Sequence, residues 1–258
     1  MIITKMQATG NDFLLVDNSK EGLGAEEKSL MARRLCKRRL SFGADGMIFL
    51  EKRPGLYMDF YNSDGSLGEM CGNGARSFAR FAYEKGYAGE EIIFDSLAGR
   101  VEAKRLDKQN YSIEMPVVSY YGLVEIDGEE LAYVEIGSPG LPHLVVGVDE
   151  IKRDQLHKRA LKLRHHEKLT KGANVNFYVE GKEKQVLTFE RGVEDFTLAC
   201  GTGVSSVYYH LYKENKAFGE ESFLTGGGRL YVEMGSSGQL ILKGPVVKVY
   251  ECELLEEV

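Results

Sequence analysis

Two cysteines, Cys71 and Cys200, each open a Cys-Gly-x-Gly turn, and they lie 200 − 71 = 129 residues apart, half the length of this 258-residue chain. A thiol donates a proton, and its thiolate form accepts one near neutral pH. Two such groups on opposite sides of one carbon can take a proton from one face and return a proton to the other. The pair therefore predicts inversion at the α-carbon of an amino acid.

The sequence around each turn favours this chemistry. Apolar residues at helical spacing follow the turns, over 75–83 and 204–212, and predict a buried helix beginning beside each cysteine. Backbone N–H groups and the helix dipole at that position lower a thiol pKa from its usual value of about 8.5. Glycine has no Cβ atom, so a substrate carboxylate can reach the same N–H groups. We therefore predict a reaction that needs no cofactor and no metal.

A plain tight turn, a zinc site, a redox pair and a cofactor site are the alternatives for the two cysteine turns. A single Cys-Gly-x-Gly is most often a tight turn into a helix, although two at matching points of a repeat are harder to account for in that way. A zinc site needs further Cys or His at short spacing, which neither turn supplies. A redox pair stays open because opposed thiols can oxidise, but Cys-x-x-Cys spacing is absent. Pyridoxal phosphate needs a Schiff-base lysine, and nothing singles one out.

The remaining landmarks repeat in step with the cysteines. Those at an offset of 129 are Gly43-Ala44 with Gly172-Ala173, Glu51 with Glu180, Phe60 with Phe189, Gly99-Arg100 with Gly228-Arg229, and Pro116 with Pro245. Nearer the N-terminus the offset is 130, as between Gly10 and Gly140. The repeat predicts one fold made twice.

The repeat also sets the expected domains. We expect an N-terminal half over residues 1–118 and a C-terminal half over 119–247, with the join near 117–122 and the active site in the cleft between them. Residues 248–258 are a candidate strand that would join the first half.

The predicted fold class is α+β, each half being a mostly antiparallel sheet curled around its central helix. An amphipathic helix is predicted near 25–38. Strand-like runs of the first half lie at 1–6, 12–16, 47–51, 57–61, 91–95, 100–105 and 111–115.

Composition limits the partners that we expect. The net charge of −6 argues against nucleic acid and anionic membrane as partners, and no apolar stretch approaches the ~18 residues of a membrane span. Four scattered cysteines are too few for a disulfide scaffold, and Cys36 is predicted to be a buried apolar residue, while Cys252 receives no role. Since no signal peptide precedes the first strand, we expect a cytoplasmic protein. We expect it to be a monomer or homodimer whose partner is a small-molecule amino-acid substrate.

The motifs together resemble those of the diaminopimelate epimerase family, from one end of the chain to the other. They are Gly10-Asn11-Asp12-Phe13, Gly43-Ala44-Asp45-Gly46, Phe60-Tyr61-Asn62-Ser63-Asp64-Gly65, Met70-Cys71-Gly72-Asn73-Gly74-Ala75-Arg76, Pro142-His143, Asn174-Val175-Asn176-Phe177, Glu190-Arg191-Gly192 and Ala199-Cys200-Gly201-Thr202-Gly203. The resemblance implies a cofactor-independent two-thiol epimerase that acts on diaminopimelate in lysine biosynthesis, with two pseudo-symmetric domains.

The resemblance also implies roles for single residues. Cys71 and Cys200 would be the acid/base pair, and His143 and Glu190 would position or deprotonate them. By offset, Phe13 corresponds to His143 and Tyr61 to Glu190, so the two thiols are not expected to be equivalent in detail. Substrate contacts would come from Asn11, Asn62, Gly72, Asn73, Asn174, Glu190, Arg191, Gly201 and Thr202. Arg191 would bind a distal carboxylate through two hydrogen bonds.

Two residues depart from the family pattern. Leu141 stands where the family has Asn or a small polar residue before Pro-His, and Phe196 stands where it usually has an acidic residue before Thr197. Both place an apolar side chain where we expect the pocket. The alternative that they favour is a racemase with the same two thiols acting on another amino acid, such as histidine. A binding or redox protein without turnover remains the other class.

Overall fold

The computed structural model describes residues 1–68 and 71–255, which form seventeen strands and five helices. The strands are β1 (Ile2–Ala8), β2 (Asn11–Asp17), β3 (Gly46–Lys52), β4 (Leu56–Asn62), β5 (Glu91–Ser96), β6 (Gly99–Arg105), β7 (Asn110–Glu114), β8 (Val118–Ile126), β9 (Glu129–Ile136), β10 (Leu141–Gly147), β11 (Asn174–Val179), β12 (Lys184–Glu190), β13 (Asp195–Phe196), β14 (Glu221–Thr225), β15 (Gly228–Met234), β16 (Leu240–Pro245) and β17 (Val247–Glu253). The helices are α1 (Asn18–Glu21), α2 (Ala25–Leu35), α3 (Gly72–Glu84), α4 (Arg153–Arg164) and α5 (Gly201–Lys213). No helix among these residues is long and apolar enough to cross a lipid bilayer.

The chain divides into two compact units. The first unit consists of Met1–Ile113 and the segment from Gly244 onward, and the second consists of Glu114–Lys243. Most of the residues at which we expected the join, 117–122, begin β8, which pairs with β9 as a long hairpin of the second unit. The C-terminal strand β17 pairs antiparallel with β1, and the last residues of the candidate strand, 256–258, lie outside the described residues.

The sheet of the first unit runs in the order β17-β1-β2-β3-β4-β5-β6-β7. Of these neighbours, only β2 with β3 and β4 with β5 are parallel. Residues alternate between buried and exposed along β5, which has one face on the core and the other toward solvent. By contrast, β2 is buried along nearly all of its length.

The sheet of the second unit repeats this order with β8-β9-β10-β11-β12-β14-β15-β16, and β13 adds a short pairing beside β12. The parallel neighbours fall at the same places, β10 with β11 and β12 with β14. The repeat therefore extends to the direction of each strand. This confirms the predicted α+β class, with a mostly antiparallel sheet around one helix in each half.

Each unit has a central helix and an outer helix. In the first unit α3 packs against β1, β2, β3, β5 and β6 and is buried from Gly72 to Ala82. In the second, α5 packs against β9, β10, β11, β12 and β15. The outer helices α2 and α4 each cover a second apolar cluster on the other side of their strands. Cys36 belongs to the first of these clusters, which confirms that it is buried, and burial raises its pKa to about 12.

One extra residue, Asp45, shifts the repeat between the two units. In β2 and β3, Phe13 lies opposite Gly46, whereas in β10 and β11, His143 lies opposite Asn174. Because Phe13 and His143 are equivalent, so are Gly46 and Asn174, and the offset in β3 is 174 − 46 = 128 rather than 129. The first unit has Asp45 immediately before β3, and the second has no counterpart of it.

The same shift continues through β4 and corrects one expected correspondence. Gly46 faces Asn62 at the end of β4, so the equivalent of Glu190 is Asn62, since 190 − 62 = 128, and not Tyr61. A shift of one residue moves a side chain to the opposite face of a strand. Tyr61 packs edge-on against Phe49 in the cluster under α2. It therefore lies on the face of the sheet away from α3.

Candidate active site

Both cysteines are the N-cap residues of the central helices. Cys71 (φ −127°, ψ 125°) precedes α3, and Cys200 (φ −121°, ψ 114°) precedes α5, and each helix has thirteen residues. The two backbones are thus nearly identical at the thiols. In each, the carbonyl of the cysteine accepts the first helical hydrogen bond, from the amide of Ala75 or Val204. Met70, which opens the first motif, lies outside the described residues.

A network of side chains surrounds Cys71 in the first unit. The Cys71 thiol donates to Asn11 Oδ1 at 3.4 Å, and Asn73 Nδ2 donates to the same oxygen at 3.3 Å. Asn11 is held from its other side, because its Nδ2 donates to Asp45 Oδ2 at 2.7 Å. Behind it, Arg76 Nη2 donates to Asn73 Oδ1 at 2.7 Å. Asn11 and Asn73, both expected from the sequence, are therefore joined to the thiol through one acceptor oxygen.

Asn62 and Gly72 complete the expected residues of the first unit. Gly72 is the first residue of α3 and is buried. Asn62 ends β4, and its Nδ2 donates to Ser66 Oγ at 3.0 Å within the turn that follows. Its side chain is held beside this turn rather than by the network around Cys71.

Polar side chains lie beneath the helix that Cys200 caps. Cys200 Sγ lies 3.4 Å from Thr202 Oγ1 in the first turn of α5. A Cβ atom added to Gly203, in the same turn, would lie 2.3 Å from Asn176 Oδ1 and 2.7 Å from Thr188 Oγ1. Only glycine therefore lets the start of α5 approach the polar residues of β11 and β12 this closely.

His143 lies in β10, the strand next to β11, and has no exposed surface. The Asn176 side chain donates through Nδ2 to the Leu144 carbonyl at 2.8 Å, and its Oδ1 accepts from Thr188 Oγ1 at 2.9 Å. These two hydrogen bonds fix which end of the amide is the nitrogen. The same Nδ2 lies 3.2 Å from His143 Nδ1, which therefore accepts. A neutral His143 then carries its proton on Nε2.

Burial also keeps His143 uncharged. Desolvation lowers its pKa to about 3, and the positive charge of Arg191 lowers it further. At neutral pH the ring is therefore a neutral hydrogen-bonding group. A neutral imidazole whose Nδ1 accepts from Asn176 can donate through Nε2 once Asn174 Nδ2, 3.5 Å from that nitrogen, moves aside.

Asn174, Glu190 and Arg191 form a second cluster beside His143. Asn174 Oδ1 accepts from the Arg191 amide at 2.7 Å, and its Nδ2 lies 3.5 Å from His143 Nε2. Glu190 accepts a hydrogen bond from the Thr197 hydroxyl. The Arg191 side chain is exposed, and its Nη1 donates to the Lys171 carbonyl at 3.2 Å. It can thus exchange this carbonyl for a carboxylate ligand.

The two departures from the family pattern have different settings. Leu141 begins β10 half-buried, and it is the equivalent of Asn11, since 141 − 11 = 130. The expectation that Phe196 lies beside the pocket is wrong. Phe196 packs edge-on against Phe189 and Phe177 in the cluster under α4, because its neighbour Asp195 takes the solvent side of β13.

Three residues of these networks, Asn176, Thr188 and Arg76, are not among those predicted from the sequence. Asn176 and Thr188 alternate with core residues along their strands, and this pattern is equally compatible with a solvent face. Arg76 carried a stronger signal, because it is a charged residue inside a helix predicted to be buried.

Comparisons with known proteins agree with this architecture. The fold matches the solved structure of a phenazine biosynthesis protein of the PhzF family from Bacillus anthracis (TM-score 0.72, 16% identity, 99% of each chain). It also matches a hydroxyproline epimerase from Agrobacterium vitis (TM-score 0.69, 13% identity, 98% of this chain and 90% of that chain). Fold and cysteines together define a duplicated α+β protein with one helix-capping thiol in each half.

The sequence comparisons are more specific. The family model for diaminopimelate epimerase matches residues 3–121 and 136–249. A diaminopimelate epimerase from Hydrogenobaculum sp. (strain Y04AAS1) is 37% identical over 100% of both chains, and one from Aquifex aeolicus (strain VF5) is 36% identical over 98% of both. One from Thermotoga maritima is 37% identical over 95% of this chain and 98% of that protein. The chain belongs to the diaminopimelate epimerase family.

Proposed function

We propose that this protein interconverts L,L-diaminopimelate and meso-diaminopimelate, a step of lysine biosynthesis, without a cofactor. The observation that carries the proposal is the presence of a cysteine at the N-cap of the central helix of both units, with nearly the same backbone angles. Membership in the family and full-length similarity to proteins of that name supply the substrate.

In the proposed reaction, the two thiols act on opposite faces of one α-carbon. The thiolate of one cysteine takes the proton, so that the Cα–H bond breaks and an S–H bond forms. The electron pair left on the carbon is spread onto the α-carboxylate, where helix N-termini stabilise negative charge. The second cysteine then gives its proton to the opposite face and becomes the thiolate. The reverse reaction exchanges their roles.

The remaining candidate residues have supporting roles in this proposal. Main-chain N–H groups at Gly72 and Gly201, with the side chains of Asn73 and Thr202, are available to the reacting amino acid. Arg191 is exposed and suited to the distal carboxylate.

Asn11, Asn62, Asn174 and Glu190 are proposed to hold the substrate's polar groups, and Glu190 also to assist the thiols. We assign neutral His143 the role of hydrogen-bond donor through Nε2, because Asn176 occupies Nδ1. This differs from the alternative in which His143 itself deprotonates a thiol.

We also place the reaction in the cytoplasm. The proposed reaction needs Cys71 and Cys200 in the reduced state, one as thiol and one as thiolate. Reducing conditions of this kind prevail in the cytoplasm.

The test is exchange of the α-hydrogen in deuterated water, followed by NMR. We expect exchange and epimerisation with L,L- and meso-diaminopimelate, and none with L-histidine or other single amino acids. Cys200→Ala should abolish epimerisation in both directions. Cys252→Ala, a thiol in the C-terminal strand, serves as the matched control and should retain activity.

Leu141 is the one observation that favours a different substrate, because it removes a polar side chain at the position equivalent to Asn11. A racemase of another amino acid would show exchange with that amino acid and none with diaminopimelate. Exchange with no substrate, together with ligand binding that survives Cys200→Ala, would instead indicate a binding or redox protein. Either result would reject the proposed function.

A further inference from the structure

Arg76 is a fully buried cation in the helix that Cys71 caps. Its side chain has no exposed surface and reaches back along α3 to the first turn, where Nη2 donates to Asn73 Oδ1 at 2.7 Å and Nη1 lies 3.5 Å from the Gly72 carbonyl. Within residues 1–68 and 71–255, its Nε has no hydrogen-bond partner and its guanidinium forms no ion pair with a carboxylate.

This position is unfavourable for a cation on two grounds. A buried charge is destabilised unless an opposite charge lies near it. The N-terminal end of a helix carries partial positive charge, so anions are favoured there and cations are not. The first turn of α3 has no acidic residue to compensate.

Arg80, one turn later in the same helix, shows the ordinary solution. Its Nε donates to Glu84 at 2.8 Å, and its Nη1 donates to the Val246 carbonyl. For Arg80, the fold therefore supplies a carboxylate partner to a buried guanidinium of α3. The lack of one at Arg76 among the described residues indicates that its counter-charge comes from the site.

The second unit has no such cation in the part of its central helix that the structure describes. The equivalent of Arg76 is Ser205, since 205 − 76 = 129, and Ser205 is also fully buried. The two thiols therefore have the same helix N-terminus, but among the residues that the structure describes α3 carries a buried guanidinium behind its cysteine, and α5 carries Ser205 at that position.

We propose that Arg76 is the buried counter-charge of a resting Cys71 thiolate, so that the substrate-free enzyme holds Cys71 as thiolate and Cys200 as thiol. This inference rests on the proposed function and adds to it which thiol is charged at rest. Arg76 does not touch the substrate in this scheme. It is a positioning residue that acts through its own charge and through Asn73, which it orients.

The electrostatics of the site agree with this assignment. Burial lowers the Arg76 pKa to about 10, and the negative charge of Cys71 raises it, so the two groups stabilise each other's charged forms. A guanidinium with this pKa remains protonated at pH 7. The hydrogen bond from the Cys71 thiol to Asn11 Oδ1 stabilises the protonated form, so the thiolate forms with loss of that bond, and the charge of Arg76 has to outweigh it.

The assignment has a consequence for the reaction. The substrate-free enzyme is ready to deprotonate the isomer whose Cα–H faces Cys71. The other isomer requires the proton arrangement that one turnover leaves behind. The two directions therefore start from different protonation states of the same pair.

The experiment measures the thiol pKa values without substrate, by the pH dependence of iodoacetamide alkylation resolved by peptide mass spectrometry. In Cys200→Ala, the Cys71 pKa should lie about one unit or more below the Cys200 pKa in Cys71→Ala. Adding Arg76→Met to Cys200→Ala should raise the Cys71 pKa by about one unit, which slows alkylation about tenfold below that pKa. Arg76→Lys should restore most of the shift. Arg80→Met, the matched loss of a buried guanidinium, should leave the Cys71 pKa unchanged.

Two results would overturn the proposal. One is equal pKa values for the two thiols, which needs no Arg76 variant and stands even if Arg76→Met does not fold. The other is an Arg76→Met variant whose KM for diaminopimelate rises while the Cys71 pKa stays the same, which would make the substrate carboxylate the counter-charge. Because no substrate is present during the titration, its outcome is independent of whether the protein epimerises diaminopimelate.

Discussion

The two units share a backbone but differ in the residues that support their central helices. Three positions, one in each of three neighbouring strands, face the helix beside the second glycine of its cysteine turn, and together we call them the floor. The first floor is Phe13, Ile48 and Phe60, and the second floor is His143, Asn176 and Thr188. The first is apolar, with Phe13 and Phe60 in an edge-to-face contact 5.8 Å apart, and the second is a hydrogen-bonded network.

The difference shows how a duplicated fold can give two thiols unequal surroundings. In the first unit the buried polar group belongs to the helix, as Arg76, and the floor is apolar. In the second unit the helix carries the small Ser205 and the floor carries the ring of His143. The atoms Arg76 Nε and Ser205 Oγ, both without hydrogen-bond partners among the described residues, mark the same point of the repeat. The two units have the same strand order, but the buried polar group lies on the helix in the first unit and in the floor beneath the helix in the second.

The largest effect is expected from His143→Phe, which gives the second floor the residue of the first. The folded pKa of His143 is about 3, below the unfolded value of about 6.5, so between these values only the unfolded chain binds the proton. The contribution of neutral His143 to the free energy of unfolding is therefore at its full value above pH 6.5 and decreases as the pH falls. The loss is about 1.4 kcal/mol per pH unit. His143→Phe should remove that part of the slope, measured by urea unfolding between pH 4 and 7.

Carboxylates also titrate in this range, so the quantity to compare is the difference between the two proteins at each pH. Thr188→Val is the matched control, because it removes a floor hydroxyl and keeps the imidazole. It should lower the free energy of unfolding by about 1–3 kcal/mol at every pH, since Asn176 Oδ1 loses its donor. Parallel curves for the native protein and His143→Phe would show that the folded protein takes up the proton readily.

The next effect concerns the glycines above the two floors. A Cβ atom at Gly203 would clash at 2.3 Å with Asn176 Oδ1, which is held by its own hydrogen bonds. A Cβ atom at Gly74 would meet the flexible end of Ile48 at 3.3 Å. Gly203→Ala should therefore destabilise the protein by about 1–3 kcal/mol. Gly74→Ala should stay within about 1 kcal/mol, because the helix preference of alanine offsets the tight contact.

Urea midpoints of the two alanine variants, with an unchanged dependence on urea concentration, measure this difference. Equal losses in both would mean that the polar floor yields as easily as the apolar one. A larger loss in Gly74→Ala would reverse the comparison, and Ile48 rather than Asn176 would be the rigid neighbour.

Much of the fold could be predicted from the sequence, because its signals are local and periodic. Alternation of apolar residues indicated β5 at 91–95, and the structure has Glu91–Ser96. Helix α3 was expected after Cys71 from apolar residues around its circumference, and it runs from Gly72 to Glu84. These signals depend on spacing along one segment, and spacing is what a sequence records.

The floors could not be predicted, because they depend on register between segments. Gly43-Ala44 before β3 and Cys71 after β4 both keep the offset of 129, which hides the shift of one residue that Asp45 introduces in the two strands between them. At a constant offset Phe60 corresponds to Phe189, whereas the strands pair it with Thr188. An alignment at the constant offset of 129 therefore does not reveal the polar floor, because an error of one residue assigns every side chain of a strand to the opposite face of the sheet.

The smallest effect tests a place where the two units have not diverged. In the β5–β6 hairpin, Ser96 Oγ donates to the Gly99 carbonyl at 2.9 Å, and in the β14–β15 hairpin, Thr225 Oγ1 donates to the Gly228 carbonyl at 2.7 Å. The two pairs are separated by the same 129 residues, and both hydroxyls are buried.

Ser96→Ala and Thr225→Val each remove one hydrogen bond to a turn carbonyl, and each should lower the free energy of unfolding by about 0.5–1.5 kcal/mol. The two losses should agree within about 0.5 kcal/mol, because the two hydroxyls donate to equivalent turn carbonyls in different units. The double variant should then lose the sum. A clear inequality in urea unfolding would mean that the divergence of the two units reaches beyond the floors into their hairpins, and the contrast between the two thiols would no longer be a local one.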